Sequence, residues 1–267
     1  MTFAGSEPSA DGQSRRSVIL SGPREGRRTL NEKGPSARVV VVTGAGRGIG
    51  RATAEAFAAE GYTVIVAELR PELGRRTERA LVKSGAQALF LRTDVSDSAS
   101  VKETVRAVVH RFGRIDCLVN NAGVLSPGEL VKLPLRDLER MLAVNLRGPI
   151  QFARAVLPTM LRQRSGSIIN VASQLGKVGI AEYATYCASK FGVVGFTQAL
   201  EDEIAGAGIR VWAVCPGLVD TAMARQAGVS RGGRRGLIRP AAVAQVIVGL
   251  AIGRRREQSG AAVDVTA

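Results

Sequence analysis

Hydrophobic runs alternate with helical patterns along most of the chain. The first run, residues 39–42, consists of four valines in succession, which is typical of a strand buried on both faces of a parallel sheet. Glycines follow this run, and apolar residues then recur at helical spacing from Ile49 to Phe57 before Gly61 offers a left-handed stop. The pattern predicts a strand, a glycine turn and a helix.

The alternation continues to the end of the chain. Further strands are predicted at residues 62–67, 88–91, 115–119, 167–171, 209–214 and 262–265, and further helices at about 72–84, 98–112, 135–163, 182–206 and 240–253. Regular strand and helix alternation predicts an α/β fold in which helices cover both faces of a doubly wound parallel sheet, giving three layers in a single domain. Ligands of such sheets bind beyond the carboxyl ends of the strands.

Residues 1–36 differ in composition from the rest. They are rich in Gly, Ser, Pro and Arg and have almost no periodic apolar pattern, which predicts a disordered basic N-terminal tail before a folded domain at 37–267. Arg15 and Arg16 look like the start of a twin-arginine export signal. Polar residues follow where that signal needs an apolar stretch, so we interpret the segment as a flexible tail.

Composition narrows the class of protein. The chain has 267 residues, 45% of them hydrophobic, and no apolar run approaches the ~20 residues needed to cross a bilayer. Cys117, Cys187 and Cys215 lie far apart, and His110 sits on a predicted helix as a solvated position. Neither a disulfide framework nor a metal site is indicated. We therefore expect a soluble cytoplasmic protein with no metal and no membrane partner.

The net charge of +14 raises the question of nucleic-acid binding. The positive charge is scattered, its densest clusters at 231–235 and 254–256 carry no interleaved aromatic residues, and aromatic content is only 4%. This distribution favours an arginine-rich solvated surface without a nucleic-acid partner. A binding protein that uses the basic surface on nucleic acid remains an alternative.

The glycine turn after the first strand suits a phosphate group. Gly44, Gly48 and Gly50 keep side chains away from the backbone, and the helix that follows directs its N–H groups and the positive end of its dipole at one point. The spacing G-x-x-x-G-x-G is a weak signal by itself.

The end of the second strand bears on the choice of cofactor. Glu68 stands there, where a carboxylate accepts hydrogen bonds from the adenosine ribose hydroxyls and repels a 2′-phosphate, which favours NAD. Arg47 in the glycine turn and Arg70 just past Glu68 are suited to pair with a 2′-phosphate, so NADP stays open.

Tyr186 and Lys190 lie four residues apart in a helical pattern, which places the phenol and the ammonium on one helix face. A neighbouring cation favours the phenolate and lowers the pKa of a tyrosine. Ser173 ends the preceding strand segment thirteen residues before Tyr186. These three side chains are candidates for acid–base chemistry on a hydroxyl or carbonyl group.

Six motifs together resemble the short-chain dehydrogenase/reductase family over essentially all of residues 37–267. They are Thr43-Gly44-x-x-x-Gly48-Ile49-Gly50, Asn120-Asn121-Ala122-Gly123, Asn145, Ser173, Tyr186-x-x-x-Lys190 and Pro216-Gly217-x-Val219-x-Thr221. The resemblance implies a Rossmann-like sheet and hydride exchange between a nicotinamide cofactor and a secondary alcohol or ketone. It also implies a homodimer or homotetramer, although the chain closes at 260–267 without the Gly-Gly ending common in the family.

The resemblance also assigns roles to residues. Tyr186 would be the general acid/base, Lys190 would favour its phenolate and bond the nicotinamide ribose, Ser173 would hold the substrate oxygen, and Asn145 would hold a water of a proton relay. The residues expected to bind the cofactor are Gly44, Arg47, Gly48, Ile49, Gly50, Glu68, Asp94, Val95, Asn121, Ala122, Gly123, Tyr186, Lys190, Pro216, Gly217, Val219 and Thr221.

Three hypotheses follow for function. The first is an NAD-dependent dehydrogenase of secondary alcohols, the second an NADPH-dependent reductase of carbonyl groups such as 3-oxoacyl thioesters, and the third the non-enzymatic binding protein. The segment 222–239 is expected to form a mobile lid. The substrate is expected to be a hydrophobic or medium-sized alcohol, because the candidate lining residues are mainly apolar: Val124, Leu125, Gln174, Leu175, Tyr183, Leu218 and Met223.

Overall fold

A computed structural model describes residues 37–226 and 236–267. The sheet has seven parallel strands in the order β3-β2-β1-β4-β5-β6-β7, which confirms the predicted fold. The strands are β1 (Val39–Thr43), β2 (Thr63–Glu68), β3 (Ala88–Arg92), β4 (Cys117–Asn120), β5 (Gly166–Val171), β6 (Ile209–Pro216) and β7 (Ala262–Val265).

Helices connect the strands in the described residues. They are α1 (Gly48–Ala59), α2 (Pro71–Lys83), α3 (Ser98–Phe112), α4 (Leu135–Leu142), α5 (Gly148–Gln163), α6 (Ala184–Glu203), α7 (Ala222–Gln226) and α8 (Pro240–Ala251). Gly61 takes the left-handed conformation predicted for it, with φ of 74°, and it ends the turn after α1.

The four valines of β1 show why the molecule has three layers. Val40 and Val42 pack in a core with side chains of α1 and α8, whereas Val39 and Val41 pack in a second core with side chains of α3, α5 and α6. Successive side chains of a strand point to opposite faces, so an uninterrupted apolar run needs helices on both sides of the sheet. All four side chains are buried.

The strand order reverses direction at β1, which pairs with β2 on one side and with β4 on the other. The loops that follow β1 and β4 therefore leave the same edge of the sheet side by side. A crevice forms outside the carboxyl ends of the strands at such a switch point, because the two loops turn toward opposite faces.

The stretch predicted as one helix at 135–163 is divided in the structure. The range is helical as predicted, but a π-helical segment, Ala143–Arg147, separates α4 from α5, and the sequence pattern did not indicate it. Asn145 lies within the segment and is fully buried. Its side chain bonds the backbone of Val124, and π segments are frequent where a helix carries a functional residue. The short helix α7 and a 3₁₀ turn at Gln174–Gly176 were not predicted.

Some predictions concern residues that are not described. The tail at 1–36 lies outside the described residues, as do positions 227–235 of the predicted lid, which include the arginine cluster at 231–235. The three cysteines are free and buried, and His110 is exposed on α3. Within the described ranges, no helix has both the length and the apolar character that crossing a membrane requires.

The core on the α5 face provides a test of the fold. Phe152 is completely buried against this side of the sheet, so we expect Phe152→Ala to lower the free energy of unfolding by about 3–5 kcal/mol through lost burial and a cavity. Arg154→Ala, at an exposed position of the same helix, should change it by less than about 0.5 kcal/mol. Urea denaturation of both variants measures the difference, and equal losses would contradict the packing.

Candidate active site

A cleft of about 790 Å³ opens beyond the carboxyl ends of the strands. It brings together residues that are separated by most of the chain. Every predicted cofactor-binding residue except Gly50 lines it, as do Ser173 and the seven predicted substrate-lining residues Val124, Leu125, Gln174, Leu175, Tyr183, Leu218 and Met223. Asn145 does not line the cleft.

The glycine turn has a shape that side chains would prevent. Gly44 and Gly48 have φ of 63° and 56°, a region that residues with a Cβ rarely adopt. A Cβ on Gly50 would overlap the carbonyl oxygen of Gly44 and the side-chain amide of Asn121, so Gly50 keeps the turn closed although it does not line the cleft. Helix α1 begins at Gly48, and Arg47 before it provides no side-chain cap. The first N–H groups of α1 are therefore placed to bind a pyrophosphate, and the turn fits a dinucleotide.

Thr43 joins the two loops of the crevice. Its hydroxyl oxygen accepts the backbone N–H of Asn121 at 2.9 Å and of Ala122 at 3.0 Å, while the hydroxyl donates to the carbonyl of Val119 at 3.3 Å. The side-chain amide of Asn121 in turn donates to the carbonyl of Thr43 at 2.9 Å. These bonds place Asn121 and Ala122 beside the glycine turn. Thr43 belongs to the glycine-turn motif, but nothing in the sequence predicted these hydrogen bonds.

Glu68 is buried at the end of β2, and the backbone holds both of its oxygens. Oε2 accepts the N–H of Gly46 at 3.0 Å and Oε1 accepts the N–H of Arg70 at 3.1 Å. The guanidinium of Arg70 lies 3.8 Å from Oε1. The pKa of Arg47 is lowered, first by burial and then by the positive charge of Arg70, with Glu68 acting in the opposite direction. This end of the cleft thus combines one fixed carboxylate with two guanidinium groups.

Asp94 and Val95 follow β3 at the same end of the cleft. The Oδ1 of Asp94 accepts the backbone N–H of Ser96 at 2.9 Å and its hydroxyl at 2.6 Å, which fixes the carboxylate. Val95 is buried, and a Cβ on Gly148 would lie 3.1 Å from it. Arg140 on α4 also lines the cleft; no sequence motif indicated it, because its contribution depends on how α4 packs.

Lys190 lies beneath the ring of Tyr186. Its Nζ donates to the carbonyl of Val171 at 2.8 Å and lies 5.7 Å from the centre of the phenol ring. Lys190 is 4% exposed, and burial lowers its pKa to about 8, an effect that the thiol of Cys215 partly opposes. The backbone of Lys190 also excludes a side chain at Gly176, where a Cβ would lie 2.8 Å from the Lys190 carbonyl oxygen.

The pKa of Tyr186 is raised, whereas the sequence predicted that the neighbouring lysine would lower it. Burial raises it to about 12, although a hydrogen bond with Ser173 acts to lower it. Desolvation disfavours the charged phenolate, and here it outweighs the hydrogen bond with Ser173. In the protein alone, Tyr186 is therefore a neutral phenol at physiological pH, ready to donate a proton.

Asn145 lies outside the cleft lining and is hydrogen-bonded to two segments that contribute to the cleft. Its Oδ1 accepts the N–H of Val124 at 2.8 Å, and its Nδ2 donates to the carbonyl of Val124 at 2.9 Å and to the hydroxyl of Ser189 at 3.3 Å. The Ser189 hydroxyl donates to the carbonyl of Tyr186 at 2.7 Å. Asn145 thus connects the loop after β4 to the helix that carries Tyr186 and Lys190. Its role in a water relay stays a prediction.

The segment after β6 forms the opposite wall of the cleft, with Pro216, Gly217, Val219 and Thr221 in its lining. The methyl carbon of Thr221 lies 3.4 Å from where a Cβ on Gly48 would be, so this wall faces the glycine turn. Val219 forms an isolated parallel bridge with Ile238. That pairing anchors the wall to the residues that precede α8.

The chain as a whole is similar to known proteins. The family profile described as short chain dehydrogenase matches residues 38–231. The chain is 42% identical over 228 residues to the 3-oxoacyl-[acyl-carrier-protein] reductase FabG of Thermotoga maritima, covering 80% of this chain and 90% of that protein. It is 41% identical to galactitol 2-dehydrogenase of Agrobacterium fabrum, covering 68% and 71% of the two chains. The crystal structure of levodione reductase superposes with a TM-score of 0.80 at 31% identity, covering 86% of this chain and 96% of that one.

The buried lysine predicts a specific pH dependence of stability. Because the pKa of Lys190 is about 8 in the folded protein, the unfolded chain binds a proton between pH 8 and 10 that the folded chain has released, so the contribution of Lys190 to stability should rise with pH. Relative to Lys190→Met, the wild-type free energy of unfolding should increase by about 2 kcal/mol over this range. Burial raises the pKa values of Cys117, Tyr62 and Tyr186 to about 12, which lowers stability as pH rises in the wild type and the variant alike. The difference between the two proteins therefore isolates the lysine.

Urea denaturation at several pH values from 7 to 10 measures this change. Lys102→Met, which removes an exposed lysine of α3, should leave the pH profile of the wild type unchanged. A wild-type curve parallel to that of Lys190→Met would contradict the burial of an ionisable ammonium at this position.

Proposed function

This chain belongs to the short-chain dehydrogenase family, and we propose that it is an NAD-dependent dehydrogenase of secondary alcohols in which Tyr186 exchanges the proton. The chain is an oxidoreductase that acts on alcohols and ketones by NAD(P)-linked hydride transfer, and its relatives are named as oxidoreductases of this kind. The single observation that carries the residue assignment is that Tyr186, Ser173 and Lys190 line one cleft, with the Lys190 Nζ 5.7 Å from the centre of the phenol ring.

Tyr186 and Ser173 have different roles in the reaction. When bound, the nicotinamide cofactor supplies or accepts the hydride, and its oxidised ring brings a positive charge near the phenol. Tyr186 donates its proton to the carbonyl oxygen in the direction of reduction and takes the hydroxyl proton in the direction of oxidation. Ser173 hydrogen-bonds the same oxygen and stabilises the charge that develops there.

Lys190 supports both directions. Its ammonium favours the phenolate form of Tyr186 that oxidation requires, and its other protons are available to the nicotinamide ribose. Burial makes the charged form costly, which the carbonyl of Val171 partly compensates by accepting a hydrogen bond. Asn145 positions the helix of Lys190 through Ser189, and we assign it the proton relay that links the lysine to solvent.

The proposal of NAD rests on Glu68. Its carboxylate lines the cleft at the end of β2 and is held in place by the N–H groups of Gly46 and Arg70. A fixed anion at this position accepts hydrogen bonds from ribose hydroxyls and repels a phosphate on the 2′-oxygen. The glycine turn, Asp94, Val95 and the loop after β4 would hold the rest of the cofactor.

A second candidate is an NADPH-dependent reductase of 3-oxoacyl thioesters. Arg47 and Arg70 both line the cleft next to Glu68, and guanidinium groups are good phosphate partners. A relative at 42% identity is named a 3-oxoacyl-[acyl-carrier-protein] reductase. We place this function second because the backbone holds Glu68 at the position that discriminates between the cofactors.

We also propose that the protein forms a homodimer or homotetramer. Ile150 and Leu161 on α5 and Phe191 on α6 are 38%, 45% and 45% exposed, which is high for large apolar side chains on two helices of one layer. Contact between copies of the chain would remove this apolar surface from water.

Tyr186→Phe tests the assignment of the acid/base. Removal of one hydroxyl should lower kcat for oxidation of a secondary alcohol by at least about 10³-fold, because no other group takes the proton. The dissociation constant for NADH, measured by fluorescence, should change by less than about threefold, because Lys190 and the glycine turn remain. Turnover close to that of the wild type would reject Tyr186 as the acid/base.

Glu68→Ser tests the cofactor preference. The wild type should use NAD at least about tenfold better than NADP in kcat/KM, because a carboxylate close to a phosphate costs several kcal/mol in a partly buried site. The variant should reverse this ratio, since Arg47 and Arg70 would then face the 2′-phosphate without a competing anion. Glu72→Ser, at an exposed position outside the cleft, serves as the control. A wild type that prefers NADP would favour the second candidate.

A further inference from the structure

Gln174 places a free amide in the substrate part of the cleft. Its side chain lines the cleft directly after Ser173. Within residues 37–226 and 236–267, neither the carbonyl nor the amino group of its side chain has a hydrogen-bond partner. Only its backbone carbonyl is used, accepting the N–H groups of Lys177 and Val178. An amide has two donors and two acceptor sites, so this side chain presents unused hydrogen-bonding capacity to whatever fills the cleft.

The position of the amide is set by the two walls of the cleft. A Cβ on Gly217 would lie 3.1 Å from the Oε1 of Gln174 and 3.4 Å from its Cδ. The amide therefore lies against the backbone of Gly217, in the loop after β6. Gly217 has no side chain to compete for this space. Because Gln174 follows Ser173 directly and both residues line the cleft, the amide lies in the part of the cleft where the substrate is expected.

The surroundings of Gln174 are mostly apolar. Leu175, Leu218 and Met223 line the cleft near it, with Val124 and Leu125 from the loop after β4. Specificity in such a site comes from the few polar groups, because apolar contact discriminates weakly between substrates. A substrate without a polar group opposite Gln174 would bury the amide unpaired, at a cost of about 1–3 kcal/mol.

We propose that Gln174 is a substrate-positioning residue that binds a second oxygen on the carbon next to the reacting carbinol, so that the substrates are vicinal diols and the corresponding α-hydroxy ketones. The inference rests on the proposed function. Oxidation converts one carbinol of the diol to a ketone, with its hydride passing to the oxidised nicotinamide and its hydroxyl proton to Tyr186. The second hydroxyl is unchanged and stays bonded to Gln174.

Matched substrates test this inference. The pairs are 2,3-butanediol with 2-butanol and cyclohexane-1,2-diol with cyclohexanol, each assayed with NAD and with NADP. For the wild type we expect kcat/KM for each diol to exceed that for its partner alcohol by about tenfold or more. The diol gains a hydrogen bond to the amide, whereas the simple alcohol leaves the buried amide unpaired. Equal values for diols and simple alcohols would overturn the inference and leave the proposed function intact.

Gln174→Met removes the amide and keeps the length of the side chain. We expect kcat/KM for the diols to fall about tenfold, mainly through KM, and that for the simple alcohols to change less than about threefold. Gln258→Met, which replaces an exposed amide outside the cleft, should leave both values unchanged. A loss of the diol preference in Tyr183→Phe and not in Gln174→Met would assign the second oxygen to the other polar group at this end and overturn the inference.

A binding measurement separates substrate from cofactor effects. In Tyr186→Phe with NAD bound, saturation-transfer NMR should detect 2,3-butanediol at concentrations where 2-butanol gives no signal, and the added Gln174→Met should abolish this difference. If the difference between the two compounds persisted in Gln174→Met, the amide would not bind the second oxygen and the inference would be wrong. The inference would also be wrong if Gln174→Met raised the dissociation constant for NAD and lowered kcat/KM equally for diols and simple alcohols, because the amide would then act on the cofactor. No turnover of any of the four compounds with either cofactor would instead contradict the proposed dehydrogenase function.

Discussion

The hydrogen bonds of Thr43 join the two loops on which the site depends. Strand β1 pairs with β2 on one side and β4 on the other, so the chain turns toward opposite faces after β1 and after β4 and leaves a crevice between them. The hydroxyl of Thr43 accepts the N–H groups of Asn121 and Ala122, and Asn121 returns a bond to the carbonyl of Thr43. The loop after β4 is thereby held against the glycine turn, where both reach the same ligand.

The site tolerates buried charges because the backbone compensates them. Lys190 donates to the carbonyl of Val171, and Glu68 accepts the N–H groups of Gly46 and Arg70. Each charge is fixed by groups that the fold itself positions, so little reorganisation is needed when a ligand binds. Burial still affects the pKa values, which are lowered to about 8 for Lys190 and raised to about 12 for Tyr186. A ligand that adds positive charge near the phenol would reverse part of the rise in the pKa of Tyr186.

Much of the fold was predictable because it follows from local pattern. The run at 39–42 required a strand covered on both faces, and the structure has the two cores. The π-helical segment at Asn145 was not predictable, since it goes with contacts between distant parts of the chain. Asn145 bonds the backbone of Val124, twenty-one residues earlier in the chain.

The candidate site divides in the same way. The spacing of Tyr186 and Lys190 predicted that they share one helix face. The positions of the motifs at strand ends predicted that their residues meet in one cleft. The pKa of Tyr186 was not predictable, because it depends on burial by loops from several strands. The free amide of Gln174 also emerges only from the structure, since sequence cannot show which polar groups lack a partner.

Hydrogen–deuterium exchange with and without NAD shows where the cofactor binds independently of any substrate. We expect NAD to slow exchange of backbone amides at residues 44–50, 121–123 and 217–221, which border one crevice, and to leave α3 unchanged. If saturating NAD and NADP both left these three segments unchanged, or protected amides only on the outer helices, the crevice would not be the cofactor site.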